Sequence, residues 1–380
     1  MFQSLLLLCF TLFSSPYLLV RAKMRRKHTQ KPRRILVIQL SKIGDLICTT
    51  PLFRALADAG DEVTVLCLGT PAQMLENNPS VKQIIVSSDT KYNGLWGRIH
   101  LLLGLHREKF DVSISVFPGY LYALLSMWTA APIRICTRKK GMGFIASILH
   151  CFCSHSQTYV RGTRTYEHYM AIAQTLGAEK VSYKHEVFLS QDEKEWAKTW
   201  RKNNNINSSP YAVLSVTAGN QIKEWPRTRF AALADHLLLQ WKLHVVISSS
   251  DVEATKEVCS LSQHRDKLID AGGLPLRELS AIIAESSLFV SVDTGPLYIA
   301  HAFDVPLVDI VGPVDPREQP PTPGDRVSLI LPLGVQPSTF VAETLRVSTK
   351  EQRLALECST VEIVVQAVDT LLKKVSLHVH

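Results

Sequence analysis

The sequence predicts an α/β fold made of two domains, each with a parallel sheet covered by helices on both faces. Short apolar runs, typical of buried parallel strands, alternate with segments of helical apolar spacing. The alternation stops in one turn-prone stretch, residues 201–210, and then restarts. With 380 residues, 46% of them hydrophobic, the chain is too long for one ordinary core and is well suited to two.

The first half of the chain begins its pattern at residue 33. The run RRILVIQL predicts a buried strand, and the helical pattern that follows it ends at Gly60. Strands that alternate with helices indicate a parallel sheet covered on both faces. The further strands predicted here are EVTVLCLG, KQIIVSS and DVSISVFPG, and the helices lie near residues 95–106, 120–130 and 163–177.

The second half repeats the alternation with no detectable sequence identity to the first. Its predicted strands are YAVLSVTAG, LHVVISSS, KLIDAGG and LFVSV. The segment 312–325 is rich in Pro and Gly and predicts a loop, whereas the tail from Ser359 predicts a capped amphipathic helix. The predicted organisation is an N-terminal extension (1–32), a first domain (33–200), a second domain (201–350) and a C-terminal helix and tail (351–380).

The formal net charge of +8 arises from one segment near the N-terminus, residues 21–34. Eight of the 42 basic residues lie between Arg21 and Arg34 with no acid among them, so the remaining 34 equal the 34 acidic residues. The body is therefore neutral, which argues against nucleic-acid binding. The apolar segment 5–20 is short for a membrane span and lacks the leading cations of a secretory signal. It is either a tether whose cations meet anionic lipid or a segment upstream of a true start at Met24, and in both cases we expect the fold to begin near Arg34.

The eight cysteines show no C-x-x-C spacing, and most lie in apolar runs. This usage is typical of reduced thiols in the core of a cytoplasmic protein. We therefore expect free thiols and no zinc site.

Polar clusters of the second domain lie where predicted strands end, which is where open α/β sheets bind ligands. Asp293, Thr294 and Gly295 stand between a strand and a helix, so free amides, a hydroxyl and the helix dipole can bind a phosphate there. The alternative is that Asp293 only caps the helix. Lys223 follows another strand and either neutralises a diphosphate or is a solvated surface lysine.

Two further pairs belong to the same sheet edge. Thr217 and Ala218 would place a small side chain and backbone amides beside the ligand. Asp251 or Glu253 can accept hydrogen bonds from ribose or base hydroxyls, although acids are common in a first helical turn for dipole reasons.

In the first domain, Asp45 stands next to Gly44 at the exit of the first strand. A carboxylate there can act as general base on an attacking hydroxyl, or it can be an ordinary acid of a helix N-terminus. We expect the two sheets to face a cleft, with one substrate held by each domain.

Two stretches, ILVIQLSKIGDLICTTPLFRALADAG and SVDTGPLYIAHAFDVPLVDIVGPVDP, resemble the ADP-heptose:lipopolysaccharide heptosyltransferases of glycosyltransferase family 9. TAGNQIKEWP is similar to the K-x-W-P segment of that family, and the resemblance covers residues 33–373. It implies the GT-B fold of two Rossmann-like domains and an inverting, metal-independent transfer of heptose from ADP-heptose to a hydroxyl of the lipopolysaccharide core. It also implies no cofactor and a cytoplasmic enzyme in peripheral contact with the inner membrane, whose acceptor is carried on lipid A.

Carried over residue by residue, the resemblance places Asp45 on the position of the general base. The positions that hold the diphosphate and nucleoside are Thr217, Lys223, Asp293, Thr294 and Gly295.

The chain departs from the family pattern at Tyr298, where the family usually has His. A tyrosine can donate one hydrogen bond to the diphosphate but carries no charge near neutral pH. SVFPGY also lacks the usual amide side chain near Gly119, which leaves the acceptor less defined. The expected acceptor contacts are Lys42, Gly44, Gly119 and Arg164.

Two alternatives stay open. One is an enzyme of the same fold with another nucleotide sugar or acceptor, and the other is a nucleotide-sugar-binding protein without turnover. A dinucleotide-dependent dehydrogenase is disfavoured, because S-K-I-G-D and not G-x-G-x-x-G follows the first strand.

Overall fold

The structure, a computed structural model, describes residues 2–25, 31–179, 182–207, 209–220, 223–345, 348, 351, 354–355 and 357–377. The chain separates into two compact units, Met1–Lys184 and His185–His380. Arg26 and Lys27 of the basic extension, and Gln221 and Ile222 before Lys223, lie outside the described residues.

The first unit contains a six-stranded parallel sheet. Its strands are β1 (Arg34–Gln39), β2 (Glu62–Cys67), β3 (Gln83–Val86), β4 (Val112–Ser115), β5 (Ile133–Arg138) and β6 (His155–Thr158). The strand order is β3-β2-β1-β4-β5-β6, and every neighbouring pair is parallel. This is the Rossmann-like order, in which the direction of winding reverses between β1 and β4, so ligands are expected beyond the carboxyl ends of these two strands.

Both faces of this sheet are covered. Ile35 and Val37 of β1 belong to one apolar cluster, and Leu36 and Ile38 belong to the cluster on the opposite face. This alternation explains why a continuous apolar run forms a central strand. The helices of the unit are α1 (Phe2–Met24), α2 (Ile43–Asp58), α3 (Gly69–Ala72), α4 (Gly94–Arg107), α5 (Tyr120–Trp128), α6 (Phe144–His150) and α7 (Thr165–Thr175), with 3-10 turns at Gln73–Leu75 and Thr90–Tyr92.

Helix α1 packs on the first unit. Leu18 and Ala22 are buried in the cluster that α4 and α5 also form. Phe10 stacks on Trp128 with 5.1 Å between ring centroids, and Trp128 Nε1 donates a 2.9 Å hydrogen bond to Thr11 Oγ1. By length and composition alone, Leu6–Met24 is also sufficient to cross a membrane. The expectation that the fold begins near Arg34 is therefore wrong, because these side chains complete an apolar face that starts twenty residues earlier in the chain.

A chain that begins at Met24 is expected to be less stable than the full chain. The indole of Trp128 would lose both its stacking partner and its hydrogen-bond acceptor, and an unmade buried hydrogen bond alone costs about 1–3 kcal/mol. Urea unfolding of the two proteins measures the difference in the free energy of unfolding. Equal stability would show that α1 makes no energetically important contact with the first unit.

The second unit repeats the architecture. Its sheet has the order β12-β11-β10-β7-β8-β9, again parallel throughout. Its strands are β7 (Tyr211–Ser215), β8 (His244–Ser249), β9 (Leu268–Gly272), β10 (Leu288–Val292), β11 (Leu307–Ile310) and β12 (Val327–Ile330), and a small antiparallel pair follows at β13 (Thr339–Phe340) and β14 (Glu343–Thr344). Its helices are α8 (Gln191–Asn203), α9 (Arg227–Gln240), α10 (Val252–Leu261), α11 (Leu276–Ala284), α12 (Gly295–Ala302) and the C-terminal helix Val361–Leu377, with a 3-10 turn at Arg265–Lys267.

Helix α8 ties the segment after Lys184 to the second unit. Glu193 of α8 accepts hydrogen bonds from Arg277 at 2.6 Å, and Arg201 lies 2.6 Å from Glu285. The sequence prediction divided the chain at 201–210, whereas the structure divides it between Lys184 and His185. The turn-prone stretch is instead the connection from α8 to β7.

The predicted α/β class with two Rossmann-like parallel sheets is confirmed. The elements that the sequence pattern did not predict include β5, α6 and β6 in the first unit and α8, β11 and β12 in the second. The expectation of free thiols is wrong for two cysteines: Cys136 and Cys153 form a disulfide, because the β5–β6 connection brings them together. Cys48 and Cys67 are free and buried, as expected for core thiols.

Candidate functional site

Three of the predicted residues of the second unit meet where β7 and β10 end. Lys223 Nζ lies 2.8 Å from Asp293 Oδ2, and the Tyr298 hydroxyl donates a 2.7 Å hydrogen bond to Asp293 Oδ1. The side chains of Lys223 and Asp293 are 19% and 8% exposed. β7 and β10 are neighbours in the sheet, which explains how residues 70 positions apart form one ion pair.

Asp293 does not serve as the cap of α12. The N-cap residue is Thr294, Gly295 is the first helical residue and Pro296 follows. The Thr294 side chain makes no capping hydrogen bond. The positive end of the α12 dipole therefore faces the region in front of Gly295, where a negative charge is favoured. The strand-to-helix junction thus has an ammonium group near the first turn of α12, and anion binding there stays a prediction.

A second carboxyl group lies beneath this cluster. Asp309 on β11 is fully buried, and neither of its oxygens has a hydrogen-bond partner among the described residues. Its Cα is the register partner of Ser291 on β10, so the side chains of Asp309 and Ser291 lie on the same face of the sheet, two residues before Asp293. Burial raises the pKa of Asp309 well above its ordinary value, the charge of Asp293 raises it further, and Lys223 opposes the shift. Burial therefore favours the protonated form of the Asp309 carboxyl group.

Sequence reasoning missed Asp309. The signal was an acid in the middle of the apolar run PLVDIVG, where an acid is rarely buried without a partner.

The stability of Asp309→Asn relative to that of the wild type is expected to increase with pH. Above the ordinary carboxyl pKa the unfolded chain ionises at Asp309 while the folded chain keeps the proton, so the folded state binds more protons and wild-type stability falls as pH rises. The difference in the free energy of unfolding between the variant and the wild type can grow by at most about 1.4 kcal/mol per pH unit. Urea unfolding at pH 5 and pH 8 measures it, with the 93% exposed Asp266 replaced by Asn as the control. A difference that does not change with pH would contradict the burial argument.

The loop after β7 and the start of α10 are joined by short hydrogen bonds. Thr217 Oγ1 lies 2.7 Å from Ser249 Oγ, which accepts a 2.8 Å hydrogen bond from the Asp251 amide. The Ala218 amide donates to Glu224 Oε1 at 3.3 Å. Thr217 and Ala218 are therefore at the predicted sheet edge, and Ser249 is a residue of this edge that the sequence analysis did not name.

The two acids after β8 have the geometry of helix N-terminal residues. Asp251 is the N-cap of α10 and accepts from the Glu253 amide at 3.1 Å. The Glu253 side chain is 79% exposed and lies 2.8 Å from Lys256. The structure therefore shows both acids as residues of a helix N-terminus. A contact of either acid with a ribose stays a prediction.

In the first unit, Asp45 lies in the first turn of α2, just beyond β1. Its Oδ2 accepts a 3.3 Å hydrogen bond from the amide of Lys42, the N-cap residue, and its side chain is half-buried. Its backbone oxygen accepts from Thr49 Oγ1 at 2.7 Å. The carboxylate is thus held in place at the carboxyl end of the central strand, next to the buried Gly44.

A tyrosine on α5 lies beside this turn. The Tyr122 hydroxyl accepts a 3.0 Å hydrogen bond from the Leu40 amide and lies 3.2 Å from Ser41 Oγ. Burial raises the pKa of Tyr122, and the negative charge of Asp45 raises it further. The structure therefore joins the exit of β1 to α5, a contact that the sequence did not reveal.

The predicted acceptor residues also lie at carboxyl ends of strands of this sheet. Gly119 follows β4 and is the N-cap of α5, and Arg164 follows β6 and is the N-cap of α7. A cavity of about 540 Å³ begins at Gly119. Its wall is mostly apolar and is formed by Pro118, Gly119, Tyr120, Lys139 and residues 142–146.

Comparison with known proteins identifies the family. The family model "Glycosyltransferase family 9 (heptosyltransferase)" matches residues 98–343, about two thirds of the chain. The chain belongs to glycosyltransferase family 9. It is a glycosyltransferase, as predicted.

Similar proteins agree with this family assignment. "Lipopolysaccharide heptosyltransferase 3" of Escherichia coli is 23% identical over 287 residues, which are 72% of this chain and 81% of that protein. The crystal structure of a family 9 glycosyltransferase from Veillonella parvula DSM 2008 has a TM-score of 0.75 at 21% identity and covers 92% of this chain and 100% of that one. E. coli "ADP-heptose lps heptosyltransferase II" has a TM-score of 0.68 at 19% identity and covers 90% and 99%. These likenesses confirm the predicted GT-B fold.

The family match covers the cluster of the second unit but not Asp45, which lies before residue 98. The sequence predicts that the Tyr298 hydroxyl donates a hydrogen bond to the diphosphate. In the structure Tyr298 is 4% exposed, and its hydroxyl donates to Asp293. In this family 9 member Tyr298 therefore orients the carboxylate that holds Lys223.

Proposed function

We propose that the protein transfers heptose from ADP-heptose to a hydroxyl of the lipopolysaccharide inner core, with inversion and without a metal ion. The observation that carries the proposal is the Lys223–Asp293 pair beside the N-terminus of α12, within the segment that the family model matches. The names of E. coli heptosyltransferases 3 and II support lipopolysaccharide as the acceptor, and that of heptosyltransferase II supports ADP-heptose as the donor.

The second unit would bind the donor. The diphosphate would lie at the first turn of α12, with Gly295 allowing close approach of the backbone and the helix dipole favouring negative charge. Lys223, held by Asp293, would offer an ammonium group as a hydrogen-bond donor to the phosphates. Burial favours the protonated form of Asp309, so this second carboxyl group would add little negative charge near the phosphates.

The first unit would bind the acceptor. We infer that the sugar hydroxyl lies at Asp45, and that Lys42, Gly119 and Arg164 line the path of the core oligosaccharide. The mostly apolar cavity that begins at Gly119 suits the lipid-proximal part of the acceptor. An acceptor carried on lipid A requires the enzyme to work at a membrane surface, and the exposed Arg21 and Lys23 at the end of α1 suit the cytoplasmic, anionic leaflet.

The transfer would proceed in one step. The acceptor oxygen attacks the anomeric carbon on the face opposite ADP, the bond from that carbon to the phosphate oxygen breaks, and the hydroxyl proton passes to the Asp45 carboxylate. The charge that develops on the leaving diphosphate is stabilised by Lys223 and the α12 amides. One carboxylate base is sufficient because inversion needs no covalent intermediate.

The test is an assay of ADP release by the full chain. ADP-heptose is incubated with a heptose-deficient core acceptor, and UDP- and GDP-sugars are compared as donors. Of the donors compared, we expect only ADP-heptose to release its nucleoside diphosphate. This release should require the acceptor and should be unaffected by brief chelator treatment. Preference for another nucleotide would reassign the donor, and ADP binding without transfer to any acceptor would point to a binding protein without turnover.

A further inference from the structure

A second cluster of reactive side chains lies in the first unit, outside the candidate site. Cys136 on β5, His150 at the end of α6 and Cys153 just after it each offer a ligand atom, and these atoms lie within 4.8 Å of one another. Cys136 is fully buried and His150 is 6% exposed. His150 Nδ1 is buried and has no hydrogen-bond partner among the described residues. A buried imidazole nitrogen without a partner, next to two sulfurs, needs a physical explanation.

The backbone holds this cluster in place from both sides. The Cys153 amide donates to the His150 carbonyl at 3.1 Å, which fixes a turn that puts both side chains on one side. Arg134 on β5 donates to the Phe152 carbonyl at 2.9 and 2.7 Å, so the turn is bound to the strand that carries Cys136. Contacts other than the bond between the two sulfurs therefore also hold the arrangement.

We propose that Cys136, His150 and Cys153 form a binding site for one zinc ion when the two cysteines are reduced. Two thiolates and one neutral imidazole are zinc ligands of the borderline-soft kind, and three protein ligands leave a fourth position for water. Binding releases the two thiol protons to solvent. The Cys136–Cys153 disulfide is the oxidised form of the same ligand set, and a two-electron reductant that breaks the S–S bond creates the site.

A polar residue behind Cys136 supports the role of a ligand. Ser126 Oγ lies 3.9 Å from Cys136 Sγ and 2.6 Å from Ser113 Oγ, both within the buried interior. Hydroxyl donors beside a metal-bound thiolate stabilise its charge and orient it.

The site has a structural consequence for the cavity of this unit. The segment between Cys136 and His150 contributes Lys139 and residues 142–146 to the cavity wall. A metal ion that joins β5 to the end of α6 would fix both ends of this segment. The inference about zinc rests on the three ligands alone and does not depend on the proposed transfer reaction.

The test uses the full chain, reduced with a phosphine under anaerobic conditions and freed of metal with a chelator. The phosphine supplies two electrons to the disulfide and becomes a phosphine oxide. Titration with Co²⁺ as a spectroscopic probe should give sulfur-to-cobalt charge-transfer absorption that saturates at one equivalent and is displaced by Zn²⁺. Cys136→Ser, Cys153→Ser and His150→Ala should each lower the affinity by more than about tenfold. Cys151→Ser is the matched control, since Cys151 is exposed and lies between the ligands.

A second measurement needs no variant. Zn²⁺ should slow alkylation of Cys136 and Cys153 in the reduced wild type by about tenfold or more, mapped by mass spectrometry, and leave Cys151 unaffected. Absence of a charge-transfer band in the reduced protein would overturn the proposal. Equal protection of all three cysteines, or cobalt binding that survives all three ligand substitutions, would also overturn it, because the ion would then lie elsewhere.

Discussion

Asp45→Asn is expected to reduce the rate of transfer by about 10²–10⁴-fold, the range that a positioned general base contributes. Asparagine keeps an oxygen that can accept the hydrogen bond from the Lys42 amide, so the start of α2 should be preserved. Only the ability to take a proton is lost. Steady-state ADP release with saturating donor and acceptor measures the effect.

Two controls separate catalysis from helix capping. Asp58→Asn changes the exposed acid at the other end of α2 and should leave turnover unchanged. The affinity of Asp45→Asn for ADP should equal that of the wild type, because the donor is bound by residues of the second unit. If Asp45→Asn turns over normally and only its thermal stability falls, Asp45 is a helix N-terminal acid and the base is another group.

Lys223→Ala is expected to weaken ADP binding by about 1–3 kcal/mol, the value of a hydrogen bond to a charged group. In the absence of a nucleotide, Lys223 is paired with Asp293, and the diphosphate would share or take over this ammonium group. Lys223→Arg should retain part of the affinity, since it keeps the charge with a different geometry. Calorimetric titration of ADP gives the affinities.

Lys223→Ala needs a control for folding, because it removes one charge of a buried ion pair. Removal of Lys223 leaves Asp293 without its cation in a site that is largely buried, and this can lower stability. Unfolding must therefore be measured alongside binding, and Lys267→Ala, at an exposed lysine of the same unit, is the matched control. Unchanged ADP affinity in a folded Lys223→Ala protein would remove Lys223 from the donor site.

The fold could be predicted because strand and helix periods are local properties of the sequence. The run at residues 33–40 became the central strand β1, and the restart at YAVLSV became β7. β6 (His155–Thr158) was not predicted because this polar strand pairs with a single neighbour at the sheet edge and needs no apolar run. The packing of α1 was missed because an apolar segment without long-range information looks the same whether it meets lipid or protein.

The site could be predicted only in part. Asp293, Thr294 and Lys223 carry a local signal, since polar residues at strand ends indicate ligand binding. The burial of Asp309 next to β10 and the pairing of Lys223 with Asp293 depend on which strands are neighbours, a property that the sequence alone does not specify. The same holds for Cys136, His150 and Cys153, whose convergence follows from the β5–β6 pairing and not from a C-x-x-C spacing.

The proposed reaction requires a nucleotide diphosphate to bind at the turn between β10 and α12. Amide hydrogen–deuterium exchange of the full chain, with and without saturating ADP, measures whether it does. We expect slower exchange in peptides that cover residues 292–300 and 216–220, and little change in the first turn of α2. Protection confined to the first unit, with the turn at Thr294 and Gly295 exchanging as it does without ADP, would contradict it.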